Sequence, residues 1–166
     1  MALKDKGGFL VDDSVWLKMK KNLQKGQHLA TKVGFFDKYY GPENDNLSVA
    51  QVASWNEEGH NNGGLFPGSV TPPRPFLRMY IFKLEQDGKL VQEMAHKIHL
   101  VAIGKMTWTT FYNDLGEEAK NDVKEVIKAW DYPPNGPKTI ELKGFNNPLQ
   151  ESDVMLESIE YKIGRK

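Results

Sequence analysis

The strongest metal candidate in the sequence is His96 with His99, with Glu93 three residues before His96. Residues three apart on a helix are surface neighbours, so the three could offer two imidazoles and a carboxylate from one face. Zinc proteases space their histidines differently, four apart with a Glu directly after the first. Beyond Glu93 no further ligand is evident, so solvated helix histidines are the expectation and no metal is assigned. For phosphate chemistry, Gly88-Lys89 lacks the earlier spaced glycine and the following Ser or Thr of a phosphate cradle, and no strand precedes Gly63-Gly64. Ser54 and Ser158 fall in helical patterns, and Ser69 lacks the flanking glycines of a nucleophile elbow. Neighbours on a helix point about 100° apart, so Glu57-Glu58 and Glu117-Glu118 are poor pairs for acid–base work. The absence of cysteine excludes thiolate catalysis, disulfides and cysteine-based zinc sites. The expectation is a non-enzyme with no catalytic residue and no cofactor. A small hydrolase using one of the four histidines is the enzymatic alternative.

Binding surfaces are equally muted. Phe35, Phe36, Tyr39 and Tyr40, with Lys32 and Lys38 nearby, have the composition of a stacking platform for single-stranded nucleic acid. Asp37 and Glu43 dilute that charge, and Phe35 alternates with core-facing positions. Over the whole chain, 22 Lys and Arg balance 22 Asp and Glu, which advertises neither nucleic acid nor an anionic membrane. No specific nucleic-acid binding is expected; a nucleic-acid-binding regulator is a remote alternative. Pro72 and Pro75 form a PxxP, which before a helix reads as a stiff connector rather than an SH3 ligand. No run approaches the roughly 20 apolar residues that span a bilayer, and Met1 to Gly8 leads into no signal-peptide core. A soluble protein used inside a cell, with no membrane partner, is expected.

The elements that must position these residues are legible from spacing. A helix starts at Asp12 or Asp13 as N-cap, repeats Trp16, Met19 and Leu23, and stops at Gly26. A strand follows over Leu29 to Phe36, with Leu29, Thr31, Val33 and Phe35 on one face. Gly34 on the other face suggests a bulge or a close backbone approach. After a polar loop, Asp37 to Asn46, the pairs Ser48/Gln51 and Leu47/Val52 fit a capping box and a hydrophobic staple. That helix ends near Glu58 at Gly59. His60 to Thr71, rich in Gly and Asn, reads as an exposed loop. Beyond Pro72-Pro73-Arg74-Pro75-Phe76, the residues Leu77, Ile81, Leu84, Gly88, Val91, Ala95, Ile98 and Ala102 make a helical seam, about 40 Å long if unbroken. Gly88 after Asp87 is the place for a break, and Gly104 ends the element. A further helix, about Thr107 to Trp130, carries the stripe Trp108, Tyr112, Leu115, Ala119, Val123, Val126 and Trp130. The run from Tyr132 to Pro137 stops it. The last thirty residues read as loop, a helical turn at Val154 to Ser158, and a strand from Ile159 to Ile163.

At 166 residues the chain fits one α+β domain, a small antiparallel sheet packed against long helices. The final strand is expected to pair with the first. So small a sheet leaves apolar surface that a ring partner would cover.

Four separated pieces carry a family resemblance. They are Val52-Ala53-Ser54-Trp55-Asn56-Glu57-Glu58-Gly59; Pro72-Pro73-Arg74-Pro75-Phe76-Leu77-Arg78; Ile127-Lys128-Ala129-Trp130 with Lys138 to Gly144; and Pro148-Leu149 through Ser158-Ile159. In that order they resemble the neck and tail-completion proteins of tailed bacteriophages, a group similar to the minor tail protein Z type. The match spans roughly residues 30 to 163. It departs from the family pattern at Ser152-Asp153, where a Thr-Gly pair is usual; Ser152 can still cap the following turn. The loop from His60 to Thr71 is also longer than usual, as a lineage-specific contact arm would be.

The resemblance implies a structural virion protein at the head–tail junction that completes the tail and joins it to the head. It implies a homo-oligomer, a ring of six, between the head connector and the tail tube or terminator, built in host cytoplasm. A tail terminator or another tail or baseplate component is the alternative. Trp55, Asn56, Glu57, Arg74, Phe76 and Arg78 are the expected interface or structural residues. Arg74 and Arg78 would suit inter-subunit carboxylates, and Asn56 and Glu57 would hydrogen-bond the Pro-Arg-Pro-Phe segment.

Overall fold

A computed structural model of the protein describes residues 13–61, 70–150 and 153–166. The chain is α+β. In order it forms α1 (Asp13–Gln24), β1 (Leu29–Phe35), a 3-10 turn (Pro42–Asn44), α2 (Val49–Glu58), β2 (His60–Asn61) and β3 (Val70–Thr71). Then come α3 (Phe76–Gln86), α4 (Gly88–Ala102), α5 (Trp108–Lys128), α6 (Pro137–Lys143), α7 (Val154–Glu157) and β4 (Ile159–Arg165). As expected, β4 pairs with β1 in a two-stranded antiparallel sheet. The pairing continues past the strand ends, where Lys166 N donates to His28 O at 3.0 Å. Among the described residues no helix is long and apolar enough to cross a membrane.

The described chain divides into two compact units, one of residues 13–32, 87–116 and 163–166, the other of 33–61, 70–86, 117–150 and 153–162. In the first, α1 packs on α4 through helix ends that satisfy each other. Asn22 Nδ2 donates to Ala102 O at 3.0 Å, and Trp108 Nε1 donates to Asn22 O at 2.8 Å. Tyr112 Oη donates to Gly26 O at 3.2 Å. These acceptors are carbonyls at or just past helix C-termini, which lack a full set of intrahelical donors. The Trp108 and Tyr112 rings stack at 5.6 Å, and Phe111 meets both edge-on. Gly26 is buried because a Cβ there would fall inside the Trp108 indole.

The second unit holds the larger core: Val49, Ala53, Phe76, Val123, Val126, Ile127, Met155 and Ile159. Phe35 meets Phe76 edge-on at 6.2 Å, and Val33 packs on the same cluster. The α5 stripe is covered as expected, with Ala119, Val123 and Val126 buried. Tyr80 packs beside this core. Its phenol is pushed up to about 12, first by burial and then by the negative charges of Asp122 and Glu118.

The seam from Leu77 to Ala102 breaks at Asp87-Gly88, as expected, while other expectations are corrected. Asp87 turns out of helical geometry and its carboxylate accepts from Lys89 N and Leu90 N at 2.9 and 3.3 Å, starting α4 anew. Ile81 and Val91 of that seam are exposed; α4 instead turns Leu90, Met94, Lys97 and Val101 inward. Trp16 is likewise exposed on α1, where cover falls on Met19, Asn22 and Leu23. The supposed loop from His60 to Thr71 starts and ends in a ladder, with His60 opposite Thr71 and Asn61 opposite Val70. Its tip, 62–69, lies outside the described residues, as do Asp12 and Ser152. Ser48 is the N-cap of α2 by position, but its side chain makes no capping bond. Gly34 marks no close approach, since a Cβ there would meet nothing within 4 Å. Helix α6 lies in a stretch expected to be loop; Pro137 at its first turn and Gly144 in the left-handed region just past its end are its local signals.

Two outcomes are expected. Gly26→Ala forces Trp108 to shift and lowers stability by about 1–3 kcal/mol, read by equilibrium urea unfolding. Because Tyr80 holds its proton more tightly folded than unfolded, its contribution is intact below pH 10 and is lost as pH rises toward about 12. Across that window the native protein should lose stability faster than Tyr80→Phe, measured as unfolding midpoints at each pH.

Candidate functional site

The best-built polar site is where α2 ends and α3 begins. Helix α2 stops because Gly59 takes φ 74, and a Cβ there would press on Thr71 O at 2.8 Å and Pro73 N at 2.9 Å. Only glycine lets the returning chain pass this close. The chain then comes back antiparallel, and Arg74 N donates to Asn56 O at 2.7 Å.

A new helix opens with backbone N–H groups that have no intrahelical acceptor. Pro75 before α3 has no N–H, which leaves those of Phe76, Leu77 and Arg78, and all three are satisfied. Phe76 N donates to Arg74 O at 2.8 Å, and the regular helical bonds begin with Met79 N to Pro75 O at 2.8 Å. The other two reach across the chain: Leu77 N donates to Glu57 Oε2 at 2.9 Å and Arg78 N to Glu57 Oε1 at 3.1 Å. Glu57, 8% exposed, thus caps a helix that starts nineteen positions later, where the positive end of the helix dipole favours a carboxylate. Arg78 closes the joint. Its Nε donates to Glu57 Oε1 at 3.1 Å, while Nη2 donates to Glu57 O at 2.9 Å and to Glu58 Oε1 at 3.1 Å. The end of α2 and the start of α3 therefore satisfy each other.

Arg74 sits in a second socket. Its Nε donates to Pro133 O at 3.2 Å, and Nη2 donates to Pro134 O at 3.2 Å and Asn135 Oδ1 at 3.3 Å. The residue is only 7% exposed, and no carboxylate pairs with it among the described residues. Burial holds its pKa below the ordinary arginine value. Arg74 is thus bound within its own chain through Nε and Nη2, and it precedes α3 instead of opening it.

The remaining expected residues fall around this joint. Phe76 is fully buried in the core. Asn56 lends its backbone oxygen to Arg74, while its Nδ2 donates to Val52 O at 2.9 Å. Trp55 stacks on His60 at 5.4 Å. Asn56 bonds the Pro-Arg-Pro-Phe segment through its main-chain oxygen, whereas the Glu57 carboxylate bonds Leu77 and Arg78 just past it. Asp153, which stands where the resembling family has glycine, takes φ 56, a region that Asp tolerates better than most side chains.

Sequence reasoning missed Pro133, Pro134, Asn135 and His60. The signal available was the proline pair: the nitrogens of Pro133, Pro134 and Pro137 carry no hydrogen, so the run is rich in acceptors. The aromatic group at 35–40 does not assemble into a platform. Phe35 and Tyr40 pack on the core, Lys162 Nζ covers the Phe36 ring at 4.5 Å, and Lys38 pairs with Glu160 at 3.5 Å. His96 and His99 are exposed on α4, and no group of three or more His, Asp or Glu among the described residues could hold a metal ion. No protein family, no curated protein and no solved structure matches this chain.

Removing the buried cap should cost far more than removing its exposed partner. Glu57→Ala strands two α3 donors and is expected to cost about 3 kcal/mol or more. Arg78→Ala leaves those two bonds in place; with its side chain 57% exposed, it should cost about 1 kcal/mol. Urea unfolding of both variants checks the order, and equal losses would contradict the cap.

Proposed function

We propose that this chain is a structural protein of a tailed-phage virion, a ring-forming subunit at the head–tail junction that completes the tail and joins it to the head. One observation carries the reading. The four pieces that resemble neck and tail-completion proteins are far apart along the chain, and they meet in space. Ala53 of the first, Phe76 of the second, Ile127 of the third, and Met155 and Ile159 of the fourth belong to one hydrophobic cluster. Polar bonds join the same pieces: Glu57 caps α3, Gln150 Nε2 donates to Ile127 O at 3.4 Å, and Lys143 Nζ donates to Gln150 O at 2.8 Å.

A ring of identical subunits needs two different patches on each copy that fit one another. Helix α3 supplies exposed apolar surface at Met79, Ile81 and Phe82, of the kind that subunit contacts cover. In this reading the partners are further copies of the chain, six in the ring, with the head connector on one side and the tail tube or terminator on the other. The protein's work is mechanical and it catalyses nothing.

The test is electron microscopy of lysates from a phage lacking this gene, beside a complemented control. Filled heads with separate tails of normal length are the expected outcome. Overlong tails would reassign the protein as a terminator, and intact infectious particles would refute a virion role.

A further inference from the structure

The Arg74 socket opens on a concavity of about 930 Å³ whose lining includes Arg74 and Asn135. A guanidinium carries five N–H donors. Three are used, by Pro133 O, Pro134 O and Asn135 Oδ1, and the two on Nη1 donate to no described residue. The Asn135 amide has its orientation fixed by the same contact, because turning it over would set its NH2 against the Arg74 donor. That leaves Nδ2, on a residue 6% exposed, buried and without a partner. His60, which also lines the concavity, has its Nδ1 buried and unpartnered. Buried polar groups are ordinarily satisfied, and a buried cation without a counter-ion is costly. The Arg74 cation without a carboxylate and the Asn135 amide donor without an acceptor, both beside one space, call for a ligand with oxygen acceptors and negative charge.

The charge and shape of the walls narrow its class. Asp153 is the one acidic residue among the described lining residues, against Arg74, Lys138 and Lys143. Lys143 is already engaged with Gln150 O. Leu47, Leu149 and Met155 make much of the remaining surface apolar. Leu149 is held at φ 65, an uncommon conformation for a bulky residue and one that recurs at ligand sites. One planar cation edge beside one amide donor suits the two oxygens of a carboxylate. A phosphate dianion would bring a second charge into a half-apolar space.

We propose that this concavity binds an organic carboxylate on an apolar stem, with the carboxylate on Arg74 Nη1 and Asn135 Nδ2 and the stem against Leu149 and Met155. The proposal does not rest on the virion reading. A free aliphatic acid and the C-terminus of a polypeptide present the same chemistry, and the test separates them.

Isothermal titration of the full chain would use hexanoate, hexanol, N-acetyl-leucyl-leucine and the C-terminal amide of that peptide. Binding is expected at about millimolar concentration for a ligand of this size. Hexanoate should bind at least about tenfold more tightly than hexanol if a free acid is the ligand. The peptide acid should outbind its amide by a similar factor if the source is a chain terminus. Asn135→Asp places an internal carboxylate on Arg74 and removes the Nδ2 donor. It should weaken acid binding about tenfold or more while its urea midpoint stays at or above that of the native protein. The proposal is overturned if neither acid binds, if the neutral analogues match the acids, or if a well-folded Asn135→Asp binds them as the native protein does.

Discussion

The arrangement of the larger unit depends on one carboxylate placed at a helix start. Glu57 ends α2 and takes the second and third free donors of α3. An exposed helix start could leave those N–H groups to water, but this one lies at the edge of the core, where Phe76 is fully buried. An unsatisfied donor there would cost about 1–3 kcal/mol. The cap therefore does more than stabilise α3. It fixes where α3 begins relative to α2, and that sets Phe76 against Phe35, Ala53 and Ile127. Gly59 makes the geometry possible, because any side chain there would collide with the returning backbone.

Arg74 belongs to the same segment and shows the opposite electrostatic choice. Glu57 meets a formal cation and a helix dipole, whereas Arg74 meets only neutral oxygens. Carbonyls of a proline pair suit that task, since neighbouring prolines supply acceptors without donors of their own. Neutral acceptors orient a guanidinium but do not cancel its charge. A buried charge compensated only by dipoles remains receptive to an anion, and that residual demand distinguishes the concavity from ordinary core packing.

The break at Asp87 separates α3 from α4 and coincides with the boundary between the two compact units. Local chemistry is sufficient to cause it. Asp at an N-cap satisfies two free donors of the next helix, and Gly88 weakens helical continuation at the same point. Continuing the helix would have kept the apolar seam in register. The seam was not worth keeping, because several of its residues face solvent in any case. Periodicity signals that a face is apolar, but burial needs an opposing surface.

Sequence by itself determined the local elements: β1, the end of α2 at Gly59, the inward stripe of α5, the final strand, and the weak point at Asp87-Gly88. Each follows from interactions within a few residues, such as caps, glycine conformations and 3.6- or 2-residue spacing. It also singled out Glu57, Arg74, Phe76 and Arg78, though only by resemblance and without their roles. What tertiary structure alone decided is which of these residues serve each other. The cap from Glu57 spans 20 positions to Leu77, and the Arg74 socket spans 59 to 61. The β2–β3 ladder and α6 were also missed, since two-residue strands carry no periodicity and a seven-residue helix between prolines and glycine looks like loop. A pairing between distant residues leaves no trace in local spacing. It exists only once the core has brought the two segments together, and that is where the burial of Arg74, the orphaned Asn135 amide and the concavity beside them arise.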